Sequence, residues 1–319
     1  MTLDVTPLFQ PLTVRNKTLR NRIVMPPMVA NRPLESADAV AWYGARARGG
    51  AGMVIVEATR LYQFDAQLTA ASLRPLVCAI HSGGALAAIQ LYPMLANRLR
   101  DPEALSLDDI EALATAYARV GAICRDAGFD AVEPHGAHGY LLNRFFSPEL
   151  NRRRDAYGGD TLPGRTRLAV EIVRRLRPVC GEAMLLLYRH TPEGLGYGVA
   201  DSLVLAERLV DAGVDILDLS PSSVTAPGDL AAPFKTLGSP VIAVNDLDVI
   251  PRAVETLAAG RADLVAIGRG LIADPEWPTK VQAGRENEII RCIKCGGCGD
   301  LQARGLPVTC TQWAQGGQD

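Results

Sequence analysis

The chain has 319 residues, a formal net charge of −2, 48% hydrophobic residues and 21% charged ones. That balance suits a globular protein with a large core, in one long domain or two short ones. It makes no electrostatic case for nucleic acid or an anionic membrane. With no basic-then-apolar leader and no apolar run long enough to span a bilayer, a cytoplasmic protein is expected.

Short apolar or β-branched runs at 22–25, 52–57, 86–91, 129–133, 184–189, 214–219, 240–244 and 262–267 read as strands. They are apolar on both faces, as parallel strands covered by helices are. Between them lie helical patterns. Residues 107–127 follow Ser106, a good N-cap, and stop at Gly128. Residues 165–177 are expected to end before Pro178, 202–212 before Gly213 and 249–259 before Gly260. Three helix-to-strand junctions read Ala-Gly-Phe-Asp, Ala-Gly-Val-Asp and Ala-Gly-Arg-Ala-Asp. Eight such strands predict an α/β chain folded as a (β/α)8 TIM barrel over 1–285, with a short cysteine-rich segment at 286–319. A doubly wound open sheet is the alternative, but it calls for an early Gly-x-Gly-x-x-Gly turn that the sequence lacks.

In such a barrel the chemistry sits at the C-terminal strand ends. Those ends carry Pro26-Pro27-Met28, Glu57-Ala58-Thr59, Gln90, Glu133, Arg189, Ser220, Asn245 and Gly268-Arg269. After the fourth strand come His135, His138 and Tyr140. Two imidazoles this close can present N–H donors to one oxygen atom and polarise a carbonyl or nitro group. Tyr140 offers a phenolic proton for general acid catalysis. The bland alternatives are structural histidines at a tight turn, or metal ligands.

Of the seven cysteines, Cys292, Cys295, Cys298 and Cys310 crowd the C-terminus. Four thiolates can hold a [4Fe–4S] cluster or a tetrahedral zinc, and a reduced, metal-free tail is the third reading. Cys78, Cys124 and Cys180 read as isolated, inert thiols.

The run from Phe129 through Glu133-Pro134-His135-Gly136-Ala137-His138-Gly139-Tyr140 to Asn143, with Phe146-Ser147-Pro148 and Tyr157-Gly158-Gly159-Asp160, resembles the central signature of the Old Yellow Enzyme family. Leu19-Arg20-Asn21-Arg22 to Met28, Arg46 to Gly52, and Ala262 to Arg269 with Ala273-Asp274-Pro275 extend the likeness along the chain. The resemblance implies an FMN-dependent ene-reductase that reduces an activated C=C bond of a small unsaturated substrate, an enone or enoyl thioester. It implies Pro27, Met28 and Ala58 along the isoalloxazine and Gln90 at its pyrimidine edge. Arg189 would sit beside N1–C2, and backbone around Val244, Asn245, Gly268 and Arg269 would hold the phosphate. His135 and His138 would hold the substrate oxygen, and Tyr140 would supply the proton.

Departures from the family pattern are equally informative. Val29 stands where relatives often have Thr or Cys, Gln90-Leu91-Tyr92-Pro93-Met94-Leu95-Ala96 lacks the usual imidazole and Gly-Arg, and Asn245 replaces a common glycine. The cysteine segment resembles the iron–sulfur segment of longer, dienoyl-CoA-reductase-like members, with its second gap one residue shorter. Those members continue into a nucleotide-binding flavin domain. Electrons are therefore expected from a separate electron-donor protein, with direct reduction by NAD(P)H as the rival. An amine dehydrogenase or demethylase and a non-catalytic electron-transfer subunit are the alternative functions. Self-association into a homo-oligomer is left open.

Overall fold

The computed structural model describes residues 3–93, 101–221 and 230–313. A two-stranded hairpin, β1 (Leu12–Val14) and β2 (Lys17–Leu19), comes first. Eight strands follow: β3 (Ile23–Met25), β4 (Met53–Arg60), β5 (Leu86–Tyr92), β6 (Ala131–Gly136), β7 (Leu185–His190), β8 (Ile216–Leu219), β9 (Val241–Val244) and β10 (Leu264–Ala266). All eight are parallel to their neighbours and close into a barrel, with β10 pairing β3 through Val265 opposite Ile23. Each expected barrel strand is present, with its ends moved by no more than three residues. The hairpin was not foreseen.

The helix Leu107–Ala127 has the expected bounds for the expected reasons. Ser106 Oγ accepts from the Asp109 amide at 3.1 Å, and the Asp109 carboxylate accepts from the Ser106 amide at 2.9 Å. Helices Val199–Asp211 and Ile250–Ala258 lie where expected. The stop before Pro178 is corrected: that helix runs Leu162–Cys180 with the proline inside it. Proline forfeits one amide donor and crowds the preceding turn. This close to the end, the loss is a single bond.

The recurring junction has a structural cause. Gly128, Gly213 and Gly260 sit at φ of +100°, +111° and +66°, a left-handed turn that glycine takes without steric cost. The aspartate that follows each one stitches strand starts together. Asp130 Oδ2 accepts from the Ala87 amide at 2.9 Å, Asp215 Oδ2 from Leu186 at 2.7 Å, and Asp263 Oδ2 from Val241 at 2.8 Å. Each carboxylate also meets a cation: Lys17 at 2.7 Å, Arg177 at 2.7 Å and Lys235 at 2.5 Å respectively. Arg15 and Lys17 of the hairpin reach Asp215 and Asp130, just ahead of β8 and β6. Val14 and Leu19 pack on the buried cluster that fills the barrel, which includes Met53, Leu187, Ile216 and Ile242. The hairpin thus closes the N-terminal end, and function belongs to the opposite mouth.

Residues 286–313 lie against that mouth. The Val308 amide donates to the Ala30 carbonyl at 3.0 Å, and Asn31 Nδ2 donates to the carbonyls of Gln302 and Leu306, each at 3.0 Å. Trp313 Nε1 donates to the Ala273 carbonyl at 2.7 Å. Among the described residues no helix is long and apolar enough to cross a membrane.

Candidate active site

Strand register sets the centre of the mouth. Gln90 on β5 lies opposite Glu133 on β6, and His135 on β6 lies opposite Arg189 on β7. Gly136 has to be small, because a Cβ there would lie 2.2 Å from the Tyr188 hydroxyl. The chain then turns through His138 at φ +59° and Gly139 at φ +74°. A histidine in the left-handed region is uncommon and needs outside support. Its amide donates to Thr191 Oγ1 at 3.0 Å, and the next amide donates to Asn143 Oδ1 at 2.8 Å. The turn brings three rings together: His135 and His138 centroids are 5.3 Å apart, and His135 and Tyr140 are 5.0 Å apart. Tyr92 meets Tyr140 edge-on at 4.8 Å.

Burial keeps both imidazoles uncharged. His135 is held well below the ordinary histidine range, first by burial and then by His138 and Arg189. His138 is pushed down to about 3 by burial and Arg189. Burial, with Tyr140 beside it, pushes the Tyr92 phenol up to about 12. His138 Nε2 lies 2.8 Å from Ser220 Oγ, which accepts from Arg189 NH2 at 3.0 Å. With the serine proton given to Nε2, the N–H of this neutral ring sits on Nδ1. His135 Nδ1 is buried without a partner.

Beneath the rings lie two carboxyl groups that sequence reasoning did not pair. Glu133 and Asp218 are both fully buried. Burial and the neighbouring Asp218 charge push Glu133 far up, and burial raises Asp218 against the pull of Arg189. Arg189 NH1 lies 3.3 Å from Asp218 Oδ2 and Gln90 Nε2 donates to Glu133 Oε1 at 2.8 Å, while Glu133 Oε2 and both Asp218 oxygens have no hydrogen-bond partner. Arg189 Nε and NH1 still lack hydrogen-bond acceptors. Unsatisfied buried donors of this kind are rare in proteins, and at a barrel mouth a ligand is one explanation for them.

A cavity of about 290 Å³ opens beside these donors. Met28, His138, Arg189, Val244, Asn245, Gly268 and Arg269 line it, together with Pro26, Ser220, Asp246 and others. Pro27, Ala58, Gln90, His135 and Tyr140 are not part of that lining, although all five sit at the same mouth. Ala58 lies in an irregularity of β4, where Val56 pairs with Ile89 and Thr59 with Leu91, so that Glu57 and Ala58 together face one residue. Such a bulge re-aims side chains. The Glu57 carboxylate accepts from the amides of Ala30 and Asn31, which pins the loop carrying Pro27, Met28 and Val29. Met94, Leu95 and Ala96 lie outside the described residues.

At the far end of the cavity Asn245 has φ +107° and Asp246 φ +51°, so the glycine preference expected at 245 reflects a real backbone need. Asp246 escaped the sequence reading. Its carboxylate meets Lys294 at 2.8 Å, Arg252 at 3.6 Å and Arg269 at 3.7 Å.

Cys292, Cys295, Cys298 and Cys310 all line a second cavity of about 190 Å³, which shares Arg269 with the first. Lys294 N donates to Cys292 Sγ at 3.4 Å, and Thr311 Oγ1 lies 3.3 Å from Cys295 Sγ, lowering that thiol. The four soft donors fit a thiolate-held metal or cluster in kind. As the side chains stand, no three His, Cys, Asp or Glu among the described residues are grouped to hold an ion.

A model of the NADH:flavin oxidoreductase / NADH oxidase family matches residues 7–98 and 94–288. An NADH oxidase of Thermoanaerobacter brockii is 33% identical over 95% of this chain and 55% of its own length, so the chain spans about half of that relative. An NADPH dehydrogenase of Geobacillus sp. (strain WCH70) is 33% identical over 86% of this chain and 93% of its own. Morphinone reductase in complex with tetrahydroNAD is similar in structure, with a TM-score of 0.74 and 26% identity over 87% of this chain and 91% of that one. A 2-naphthoyl-CoA reductase complex gives a TM-score of 0.86 over 96% of this chain and 56% of that one, at 21% identity, and shows likeness of fold.

Proposed function

Because the chain belongs to the NADH:flavin oxidoreductase / NADH oxidase family, the Old Yellow Enzyme group of the motif resemblance, we propose that it is an FMN-dependent ene-reductase drawing electrons from NAD(P)H. Its substrate is a small molecule with a C=C bond activated by a carbonyl or related group. One observation carries this reading: two neutral imidazoles and a phenol meet ring to ring at the mouth, beside an arginine with unsatisfied donors.

The residues fit the cofactor. Met28 supplies apolar surface in the cavity, Pro27 and Ala58 more of it at the same mouth, Gln90 an amide, and Arg189 the donors Nε and NH1, which have no hydrogen-bond acceptor. Val244, Asn245, Gly268 and Arg269 supply backbone and positive charge for its phosphate. When bound, FMN supplies hydride chemistry between the nicotinamide and the substrate.

The chain's own groups do the rest. His135 and His138 stay neutral, so they donate hydrogen bonds to the substrate oxygen without transferring protons to it, and the developing charge stays on that oxygen. Tyr140 delivers the proton to carbon. Tyr92 packs against it and, pushed up to about 12, keeps its own proton. The Arg189 guanidinium has a counter-ion in Asp218, 3.3 Å away.

For the cysteine segment the proposal is a [4Fe–4S] cluster on Cys292, Cys295, Cys298 and Cys310, with zinc as the rival. Iron, sulfide and zinc assays on the anaerobically purified chain decide between them. A separate electron-donor protein is needed only if neither NADH nor NADPH bleaches the flavin.

Tyr140→Phe tests the mechanism. Enone turnover is expected to fall about 10²–10⁴-fold, the usual share of a general acid, while flavin reduction by NAD(P)H keeps its rate. Equal turnover in the two proteins would remove the tyrosine from the chemistry.

A further inference from the structure

The cavity proposed for the flavin carries a carboxylate in its phosphate end, where a like charge should repel the ligand. Asp246 lines that end beside Asn245 and Arg269, and its side chain is 19% exposed. Three cations surround it: Lys294 at 2.8 Å, Arg252 at 3.6 Å and Arg269 at 3.7 Å. Three positive charges against Asp246 leave the cluster positive even with Asp248 also in the cavity lining, which suits a phosphomonoester anion. Two of the cations belong to the barrel. The third does not.

Lys294 stands between Cys292 and Cys295, at φ +54°. Its amide is bound to Cys292 Sγ, while its ammonium reaches across to the loop after β9. Arg269 borders both the flavin cavity and the cysteine cavity. The two cavities therefore share one charged wall, made of Arg269, Asp246 and Lys294.

We propose that Lys294 is the cysteine segment's contribution to phosphate binding. By neutralising Asp246 it leaves Arg269, which lines the cavity, free to meet the phosphate of FMN. The inference rests on the reading that this cavity takes FMN, and it adds that the four-cysteine segment helps to set the flavin affinity. A rival account makes Lys294–Asp246 a plain tether between segment and barrel, which would affect any flavin equally.

Riboflavin separates the two accounts, because it carries the ring without the phosphate. The experiment measures FMN and riboflavin affinity by fluorescence quenching, on the whole chain freed of bound flavin. It compares wild type, Lys294→Met, Asp246→Asn and the double variant at low and at moderate salt. Lys294→Met is expected to weaken FMN roughly three- to tenfold, the size of a partly exposed charge contact, and to leave riboflavin unchanged. Asp246→Asn is expected to tighten FMN by a similar factor, and asparagine accepts the left-handed backbone at 246. The double variant should return close to wild type, and all the differences should shrink as salt screens them.

The proposal is overturned if Lys294→Met leaves FMN affinity unchanged, or weakens FMN and riboflavin together. It is also overturned if the double variant binds FMN as weakly as Lys294→Met alone. Wild-type protein that binds FMN no better than riboflavin overturns it while the flavin reading stands. Wild-type protein that binds neither overturns the flavin reading first and this inference with it.

Discussion

The two ends of the barrel treat buried charge in opposite ways. At the N-terminal end Asp130, Asp215 and Asp263 each accept a neighbouring strand's amide and meet a lysine or arginine within 2.7 Å. At the mouth Glu133 Oε2 and both Asp218 oxygens lack hydrogen-bond partners, Arg189 keeps two donors without acceptors, and His135 Nδ1 has no partner. A paired buried charge holds the fold together. An unpaired one costs stability, and it persists where a ligand completes it.

Substituting one acid at each end should break or uphold that contrast. Asp215→Ala removes the only carboxylate that meets Arg177 among the described residues, leaves Arg15 with Glu182 alone and leaves the Leu186 amide unmatched. Unfolding in urea is expected to show a loss of about 3–5 kcal/mol, typical of one-sided removal of a buried pair, with FMN affinity unchanged. Glu133→Gln keeps an acceptor for Gln90 and a donor toward Asp218, since the carboxamide stands in for the protonated acid. Its stability should stay within about 1 kcal/mol of wild type, and any effect should fall on the flavin. A large loss at Glu133 with none at Asp215 would invert the contrast.

Protonation acts on the same contrast. His135, His138 and His190 are all buried near the mouth with depressed pKa values, His138 at about 3 and His190 at about 4. Below pH about 6.5 the unfolded chain binds protons that these folded imidazoles refuse, so stability falls as pH falls. Each contributes about 1.4 kcal/mol per pH unit until its folded pKa is reached. Glu133 acts with the opposite sign. Its raised pKa makes the folded state hold a proton the unfolded chain releases, so its contribution is lost as pH rises above the ordinary carboxylate range. Glu57 and Asp218, also raised by burial, act in the same direction as Glu133, so the histidine contribution is read from a variant and not from the overall slope. Across pH about 6.5 to about 4, His138→Asn should change the slope of the urea midpoint against pH by about one proton's worth, in the sense of less stability lost on acidification.

The scaffold was more legible in the sequence than the site. Strand runs and the Ala-Gly junctions that lead to an aspartate are local signals, and they located all eight barrel strands and the bounds of Leu107–Ala127. The spacing of His135, His138 and Tyr140 is equally local, since one turn of left-handed backbone brings those rings together. What escaped depends on contacts between distant segments. Glu133 stood among the strand-end residues, but its partner Asp218 lies on β8. Asp246 and Lys294 meet only because the cysteine segment folds back onto the mouth. Pro178 misled because proline is read as a helix terminator, whereas one lost bond near a helix end is tolerated.

The central claim is that the unpaired groups at the mouth exist for a flavin that reduces a C=C bond. An anaerobic absorbance titration of the purified chain tests it most directly, adding FMN, then NADH or NADPH, then 2-cyclohexenone. The account predicts one FMN retained per chain, bleached by at least one nucleotide or by a protein donor and restored by the enone. A chain that retains no FMN, or whose bleached flavin the enone never restores, would contradict it.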